Sequence, residues 1–283
     1  MLRIAIQSKG RLYEESMALL EEAGIKIPGG KRTLLVPARN FPVEVLFLRD
    51  DDIPESVASG VADVGIVGLN EVMEKRCPVG VLKKLGFGKC RLSLAIPQDI
   101  DYQDRNWFSG KKIATSYPGI LSDYLHKNGI VSDIHVITGS VEIAPGIRLA
   151  DAIFDIVSSG STLVSNRLKE VETVVESEAV LIGTDSISYE KRGILDELLF
   201  RFDSVQAADD KKYILMNVPQ KKLNDVLSVL PGIKSPTVMP LADKEWCSVH
   251  TVLDEKCVCE IINRLKTAGA EGILVLDIDK MIL

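Results

Sequence analysis

The chain holds 283 residues, 46% of them hydrophobic, enough for two or three domains of ordinary size, each with its own core. A formal net charge of -6 argues against general nucleic-acid binding, which needs a basic face, and five cysteines without a Cys-x-x-Cys pair argue against a disulfide framework or a structural zinc. No apolar run reaches the ~18 residues that cross a bilayer, and Leu2-Arg3-Ile4-Ala5-Ile6 lacks a signal-peptide layout, so a cytoplasmic protein with no membrane or nucleic-acid partner is expected.

In chain order, a strand over residues 4–7 runs through Ser8-Lys9-Gly10-Arg11 into a helix over 12–23, ended by Gly24. Lys9 and Arg11 flank this short turn. An Arg fork and a compact Lys charge suit a pyrophosphate, although a solvated corner has the same composition. A strand over 43–48 then meets Arg49-Asp50-Asp51-Asp52-Ile53-Pro54. Three acids could ligate Mg²⁺ together with phosphate oxygens. Asp52 ahead of Pro54 and Glu55 also marks a helix start, here over 54–59 and ended by Gly60. Capping is the preferred reading for Asp51 and Asp52, which leaves Arg49 and Asp50 as cleft candidates.

Strands over 64–67, 92–96 and 112–115 follow, and Tyr117-Pro118 after the last either stacks on a purine or packs a helix entry. That helix covers 120–128 and ends at Gly129; a strand over 135–138 comes next. The segment from Glu142 to Leu163 carries the sharpest signal. An apolar strand over 152–157 ends in Ser158, Ser159, Gly160, Ser161 and Thr162, after which Leu163, Val164 and Leu168 have helical spacing. Such a turn offers free amides, hydroxyl donors and a glycine that lets backbone close around an anion, so it reads as a phosphate cradle. A plain serine-rich surface turn is the alternative. Asp155 lies within the strand, placed to accept from sugar hydroxyls.

Val61-Ala62-Asp63-Val64-Gly65-Ile66-Val67-Gly68 resembles Leu149-Ala150-Asp151-Ala152-Ile153-Phe154-Asp155-Ile156-Val157, Ala-Asp leading into a buried strand in both. Two similar halves around a cleft would produce this echo. A strand over 179–182 and a helix over 187–200 complete the alternation, which predicts α/β architecture with mostly parallel sheets. The polar stretch 203–210 reads as a linker. Beyond it, strand 213–218, helix 221–230, strands 237–241 and 247–253, helix 255–268 and strand 272–278 spell β-α-β-β-α-β, the ferredoxin-like split unit, without any acid/base pair. His126, His135 and His250 are scattered and fit no nucleophilic triad.

Glu142, Ala150-Asp151-Ala152-Ile153, Asp155 and Ser159-Gly160-Ser161-Thr162-Leu163 together resemble the signature of the ATP phosphoribosyltransferase family, the first enzyme of histidine biosynthesis. Further likeness lies in residues 7–11, 49–54, 63–68, 90–95, 113–118 and 273–276, and the last domain matches the family's long form. The resemblance implies a two-lobed, periplasmic-binding-protein-like (type II) catalytic region, with lobe I from 1–89 plus 183–205 and lobe II from 90–182. It also implies a ferredoxin-like regulatory domain over 211–283 that senses histidine, a homo-hexamer whose active form is the dimer, and Mg²⁺.

The implied reaction joins N1 of ATP to C1 of phosphoribosyl pyrophosphate (PRPP) and releases pyrophosphate. Ser158, Ser159, Gly160, Ser161 and Thr162 would grip the 5-phosphate, and Asp155, with Asp151 or Glu142, the ribose hydroxyls or their Mg²⁺. Lys9, Arg11 and Arg49 would face the pyrophosphate or the ATP phosphates, with Asp50 and Tyr117 on the ATP side. Thr237, Ala270 and Gly272 would contact histidine. Other phosphoribosyltransferases carry adjacent paired acids where this chain has Phe154-Asp155, and Asp151 is the substitute. Two rivals remain: a cytoplasmic two-lobed sensor without catalysis, and a transferase acting on a free base.

Overall fold

Leu2, Ile4, Ala5 and Ile6 have no exposed surface, as a strand covered on both faces requires. In the computed structural model, which describes residues 1–28, 33–231 and 236–282, this strand is β1 (Leu2–Gln7). It is followed by α1 (Arg11–Glu22), β2 (Leu35–Pro37), β3 (Val43–Leu48), α2 (Ile53–Ala58), β4 (Val64–Gly68), α3 (Leu69–Lys75) and β5 (Gly80–Lys84). The chain then builds a second sheet through β6 (Cys90–Pro97), β7 (Lys112–Thr115), α4 (Pro118–Lys127), β8 (Asp133–Val136), β9 (Ala152–Val157), α5 (Ser161–Ser165) and β10 (Leu168–Ser177). β11 (Ala179–Gly183) returns to the first sheet, and α6 (Tyr189–Ala208) leads out of it. Last come β12 (Lys211–Pro219), α7 (Leu223–Val229), β13 (Thr237–Pro240), β14 (Trp246–Asp254), α8 (Glu255–Ala268) and β15 (Glu271–Asp277).

The first sheet is ordered β2-β3-β1-β4-β11-β5 and the second β10-β6-β9-β7-β8. β1 runs parallel to β3 and β4, and β7 parallel to β8 and β9, whereas β11 and β6 insert antiparallel. Each inserted strand is the one the chain makes just after crossing between sheets, the arrangement of type II periplasmic binding proteins. β4 and β9 occupy equivalent places in the two sheets, so the sequence echo marks a structural repeat. Asp63 and Asp151 do the same work there: each accepts from the amide of the neighbouring strand, Arg3 or Lys112, at 2.8 Å. Ala5, Ile53, Val57 and Val180 pack one core of the first sheet. In the second, Leu92, Phe108, Leu121 and Phe154 fill one face and Ala95, Val141, Ile153 and Leu163 the other.

Several elements depart from the sequence reading. Leu168 does not continue a helix: α5 has five residues, and Leu168 opens the ten-residue β10. Val171, Thr173, Val174 and Val175 favour extended backbone, and pairing with β6 satisfies it. β2, β5 and β10 were absent from the expected strands, and β8 lies two residues upstream of 135–138 because Ile134 pairs with Ile113. The return crossing falls at Glu178, between β10 and β11, upstream of Gly183. The stretch 203–210 is largely helix: Phe202, Val205 and Ala208 are buried at helical spacing and carry α6 through it. Gly24, Gly60 and Gly129 do take the left-handed conformation expected after a helix.

The chain divides into two compact units, Met1–Glu197 and Leu198–Leu283. In the second, the antiparallel sheet β13-β14-β12-β15 is the ferredoxin-like order, with Ile214, Met216, Val218, Val249, Ile261 and Leu265 in the core under α7 and α8. His250 is satisfied there, its Nδ1 at 2.7 Å from the Tyr213 hydroxyl and its Nε2 at 3.0 Å from Ser248 Oγ.

Candidate active site

β9 ends at the buried Val157, and the chain turns through Ser158, Ser159 and Gly160 into α5. Gly160 makes the turn possible: its φ of 80° lies in the left-handed region, which a side chain resists. The turn is braced by its own hydroxyls, Ser159 Oγ lying 3.0 Å from Ser161 Oγ. Ser158, Ser159, Ser161 and Thr162 are exposed, so the turn is open to solvent. First-turn amides of a helix have no partner within it, and here they border a recess of about 270 Å³ lined by Glu142, Asp155, Ser158, Ser159, Gly160 and Thr162, among others.

Glu142 arrives from a 3-10 turn, Val141–Ile143, and faces Asp155 across the recess. Burial pushes the Asp155 carboxyl up to about 6, partly opposed by the Ile156 amide that donates to it at 2.8 Å and reinforced by the negative charge of Glu142. Two carboxylates in mutual repulsion beside a set of hydroxyls and amides suit a ligand that brings positive charge to the acids and negative charge to the turn. Asp151 is not part of this group. It precedes the other end of β9, where its carboxylate holds the Lys112 amide, so the expected contact with ribose is not supported by its position.

On the first sheet, Lys9, Arg11, Arg49 and Asp50 gather at the ends of β1 and β3, drawn together by Ser8 donating to Leu48 at 2.8 Å. Lys9 is exposed; Arg11 reaches Glu15 at 3.1 Å, and Arg49 lies 3.6 Å from Asp51 with most of its side chain in water. Asp52 sits at the N-cap of α2 without a side-chain capping bond. Tyr117 is only 8% exposed and packs in the second sheet's core, so it has no free face for a purine; the helix-entry reading holds. Its hydroxyl donates to Glu71 at 2.8 Å. Burial, then the charges of Glu71, Asp155 and Asp50, raise the Tyr117 hydroxyl pKa, which puts acids from both sheets around this one side chain.

The sequence reading missed two groups. Asn70 and Glu71 at the start of α3 bind Tyr117, and Asn70 also meets Ser177 of β10, a buried polar network linking the two sheets. Burial raises the Glu71 carboxyl, against the lowering effect of the Tyr117 hydrogen bond. Arg91 at the start of β6 bonds the Ser158 carbonyl and Glu170. Its available signals were an arginine at the mouth of a largely apolar strand and the family likeness of residues 90–95, neither of which points to Glu170. Among the described residues, no cluster of three or more His, Cys, Asp or Glu could hold a metal ion, and no helix is long and apolar enough to cross a membrane.

In the second unit, Ala270 and Gly272 border a recess of about 470 Å³. Thr237 opens β13, on the opposite edge of the sheet from β15, so one chain does not bring it to the other two.

The family model described as ATP phosphoribosyltransferase matches residues 49–204, and that described as HisG, C-terminal domain, matches residues 208–280. Over the full length of both chains, the ATP phosphoribosyltransferases of Phocaeicola vulgatus and Bacteroides fragilis are 70% and 69% identical to this one. That of Cytophaga hutchinsonii is 57% identical over 99% of this chain and 98% of its own. A solved ATP phosphoribosyl transferase (HisG:HisZ) complex from Thermotoga maritima aligns with a TM-score of 0.61 and 27% identity, over 71% of this chain and 98% of that one. With Glu142, Asp155 and Ser158 to Thr162 gathered at one open turn, family models matching residues 49–204 and 208–280, and a full-length relative at 70% identity, the chain belongs to the ATP phosphoribosyltransferase family.

Proposed function

We infer that this chain catalyses the first step of histidine biosynthesis, joining N1 of the ATP adenine to C1 of the PRPP ribose with release of pyrophosphate. The observation that carries the reading is the open recess where the hydroxyl-lined turn meets Glu142 and Asp155. Ser158, Ser159, Gly160, Ser161 and Thr162 take the 5-phosphate through amides and hydroxyls, and Asp155 and Glu142 accept from the ribose hydroxyls. Asp151 is left out of the substrate set and Tyr117 supports the site from within the core. Lys9 and Arg11 face the departing pyrophosphate, and Arg49 and Asp50 the ATP. Fixed cations that meet charge as it develops contribute several kcal/mol, and holding both substrates in line adds about as much. No covalent nucleophile is needed.

Glu142 and Asp155 are too few to cage a metal, but they suit Mg²⁺, which takes one or two carboxylates and completes its shell with phosphate oxygens and water. When bound, the ion neutralises charge on the diphosphate. Residues 1–89 with 178–205 form catalytic lobe I and 90–177 lobe II in this reading, with the crossings taken at Lys89 and Glu178. The unit over 211–283 senses histidine. Its family match over 208–280 supports this, and the separation of Thr237 from Ala270 and Gly272 calls for a second chain to complete the site. A homo-hexamer with an active dimer fits the exposed Leu274, Val275 and Leu276 on edge strand β15. A biosynthetic enzyme of this kind works in the cytoplasm.

Incubating the purified protein with ATP, PRPP and Mg²⁺, and in parallel with a free base, tests the reading. Phosphoribosyl-ATP is the expected product; binding without turnover, or turnover with the free base alone, would overturn it.

A further inference from the structure

Arg91, the second residue of β6, lies directly opposite Val157, the last residue of β9. Its guanidinium is held at two points by Glu170, Nε to Oε1 at 2.6 Å and Nη2 to Oε2 at 2.5 Å, while Nη1 donates to the Ser158 carbonyl at 3.1 Å. Glu170 is itself fixed: Ser93 and Thr173 donate to its Oε1 at 2.7 and 3.2 Å. The ladder between β10 and β6 is broken between Glu170 and Glu172, and such a bulge re-aims the side chains beside it. A bidentate fork admits essentially one geometry, so Glu170 sets the plane of the guanidinium and therefore the direction of Nη1.

The peptide bond carries that direction onward. A trans peptide points its carbonyl and the following N–H in opposite senses. Drawing the Ser158 carbonyl toward Arg91 turns the Ser159 amide away from Arg91. Ser158 borders two recesses, one of about 460 Å³ shared with Arg91 and one of about 270 Å³ shared with Glu142 and Asp155. Arg91 lines only the first, so it is not placed to touch a phosphate in the second.

We propose that Arg91 and Glu170 are positioning residues that hold the Ser158 carbonyl out of the phosphate recess and so aim the amides of the turn into it. The proposal rests on the reading of residues 158–162 as the cradle for the 5-phosphate of PRPP. Glu170 is held down to about 2, chiefly by the Arg91 hydrogen bonds against its partial burial and with help from Ser93 and Thr173, so the clamp stays charged at neutral pH.

The test is steady-state kinetics on the full chain with Mg²⁺, varying PRPP and ATP separately. Glu170→Gln and Arg91→Lys each remove the fork while keeping size or charge, and each should raise KM for PRPP about tenfold, with KM for ATP within about twofold. Ser93→Ala, the mildest change, should shift KM for PRPP in the same direction by about two- to threefold and keeps the test open if either fork variant fails to fold. Thr162→Val probes the cradle itself. If Thr162→Val raises KM for PRPP and the clamp variants do not, the clamp is overturned and the cradle stands. If Thr162→Val leaves KM for PRPP unchanged, the cradle falls and the clamp with it. A merely structural pair would raise both KM values alike, or lower Tm with KM for PRPP unchanged, and either result also overturns the proposal.

Discussion

Asp155→Asn should make the free protein more stable and the enzyme nearly inactive. The folded carboxyl titrates at about 6 instead of 3.8 because burial disfavours its charge and Glu142 repels it. Raising an acid's pKa in the fold means that the ionised form costs stability. The cost is full above about pH 6, shrinks as protons bind on the way down, and vanishes below the unfolded value. Two pK units at about 1.4 kcal/mol each set a ceiling of about 3 kcal/mol, which partial exposure reduces to about 1–2 kcal/mol. Asparagine keeps an oxygen for the Ile156 amide and carries no charge. The urea midpoint, followed by Trp107 fluorescence with Trp246→Phe in both proteins, should therefore rise at about pH 8 and rise much less at about pH 4. Turnover should fall about a hundredfold, because the charge that strains the empty site is the one the ribose and its cation meet. A midpoint lowered at pH 8, or raised equally at both pH values, would refute the reasoning.

Asp151→Ala should cost about 1 kcal/mol of stability by freeing the Lys112 amide, with KM for PRPP within about twofold of wild type; a large KM change would restore Asp151 to the site. Tyr117→Phe strips a hydrogen bond from buried Glu71 and should cost about 1–3 kcal/mol. Because that bond lowers a carboxyl already raised by burial, the loss should be greater at pH 8 than at pH 5, and a pH-independent loss in urea unfolding would contradict it. Gly160→Ala forces a side chain into a left-handed φ at a cost of about 1–2 kcal/mol, and should raise KM for PRPP more than KM for ATP. Ending the chain after Asp210 should abolish histidine inhibition of phosphoribosyl-ATP formation; inhibition that persists would contradict the regulatory assignment.

The α/β class, the ferredoxin-like order of the last unit and the small-residue turn between β9 and α5 were legible in the residues, because each depends on local signals. Buried strands of apolar residues, glycines after helices and a run of five small residues at a strand end announce themselves within a few positions. Such signals failed where partners lie far away in the chain. Leu168 had helical spacing, yet pairing with Pro97 on β6 makes it a strand residue. The polar run 203–210 looked like a linker, yet the burial of Val205 and Ala208 keeps most of it helical.

The same division runs through the site. Sequence alone singled out Glu142, Asp155 and Ser158 to Thr162 as the candidates for recognition, since their residue types and spacing are read along one short stretch. Only the tertiary structure decided that Asp151 serves the β-ladder as Asp63 does in the other half, that the Tyr117 ring is core, and that Arg91 and Glu170 meet at the turn. Glu170 and Arg91 are 79 positions apart, and no periodicity records a contact made across a bulged strand pair. Hydrogen bonds and burial depend on distance in space, and distance along the chain predicts that only within an element or a turn.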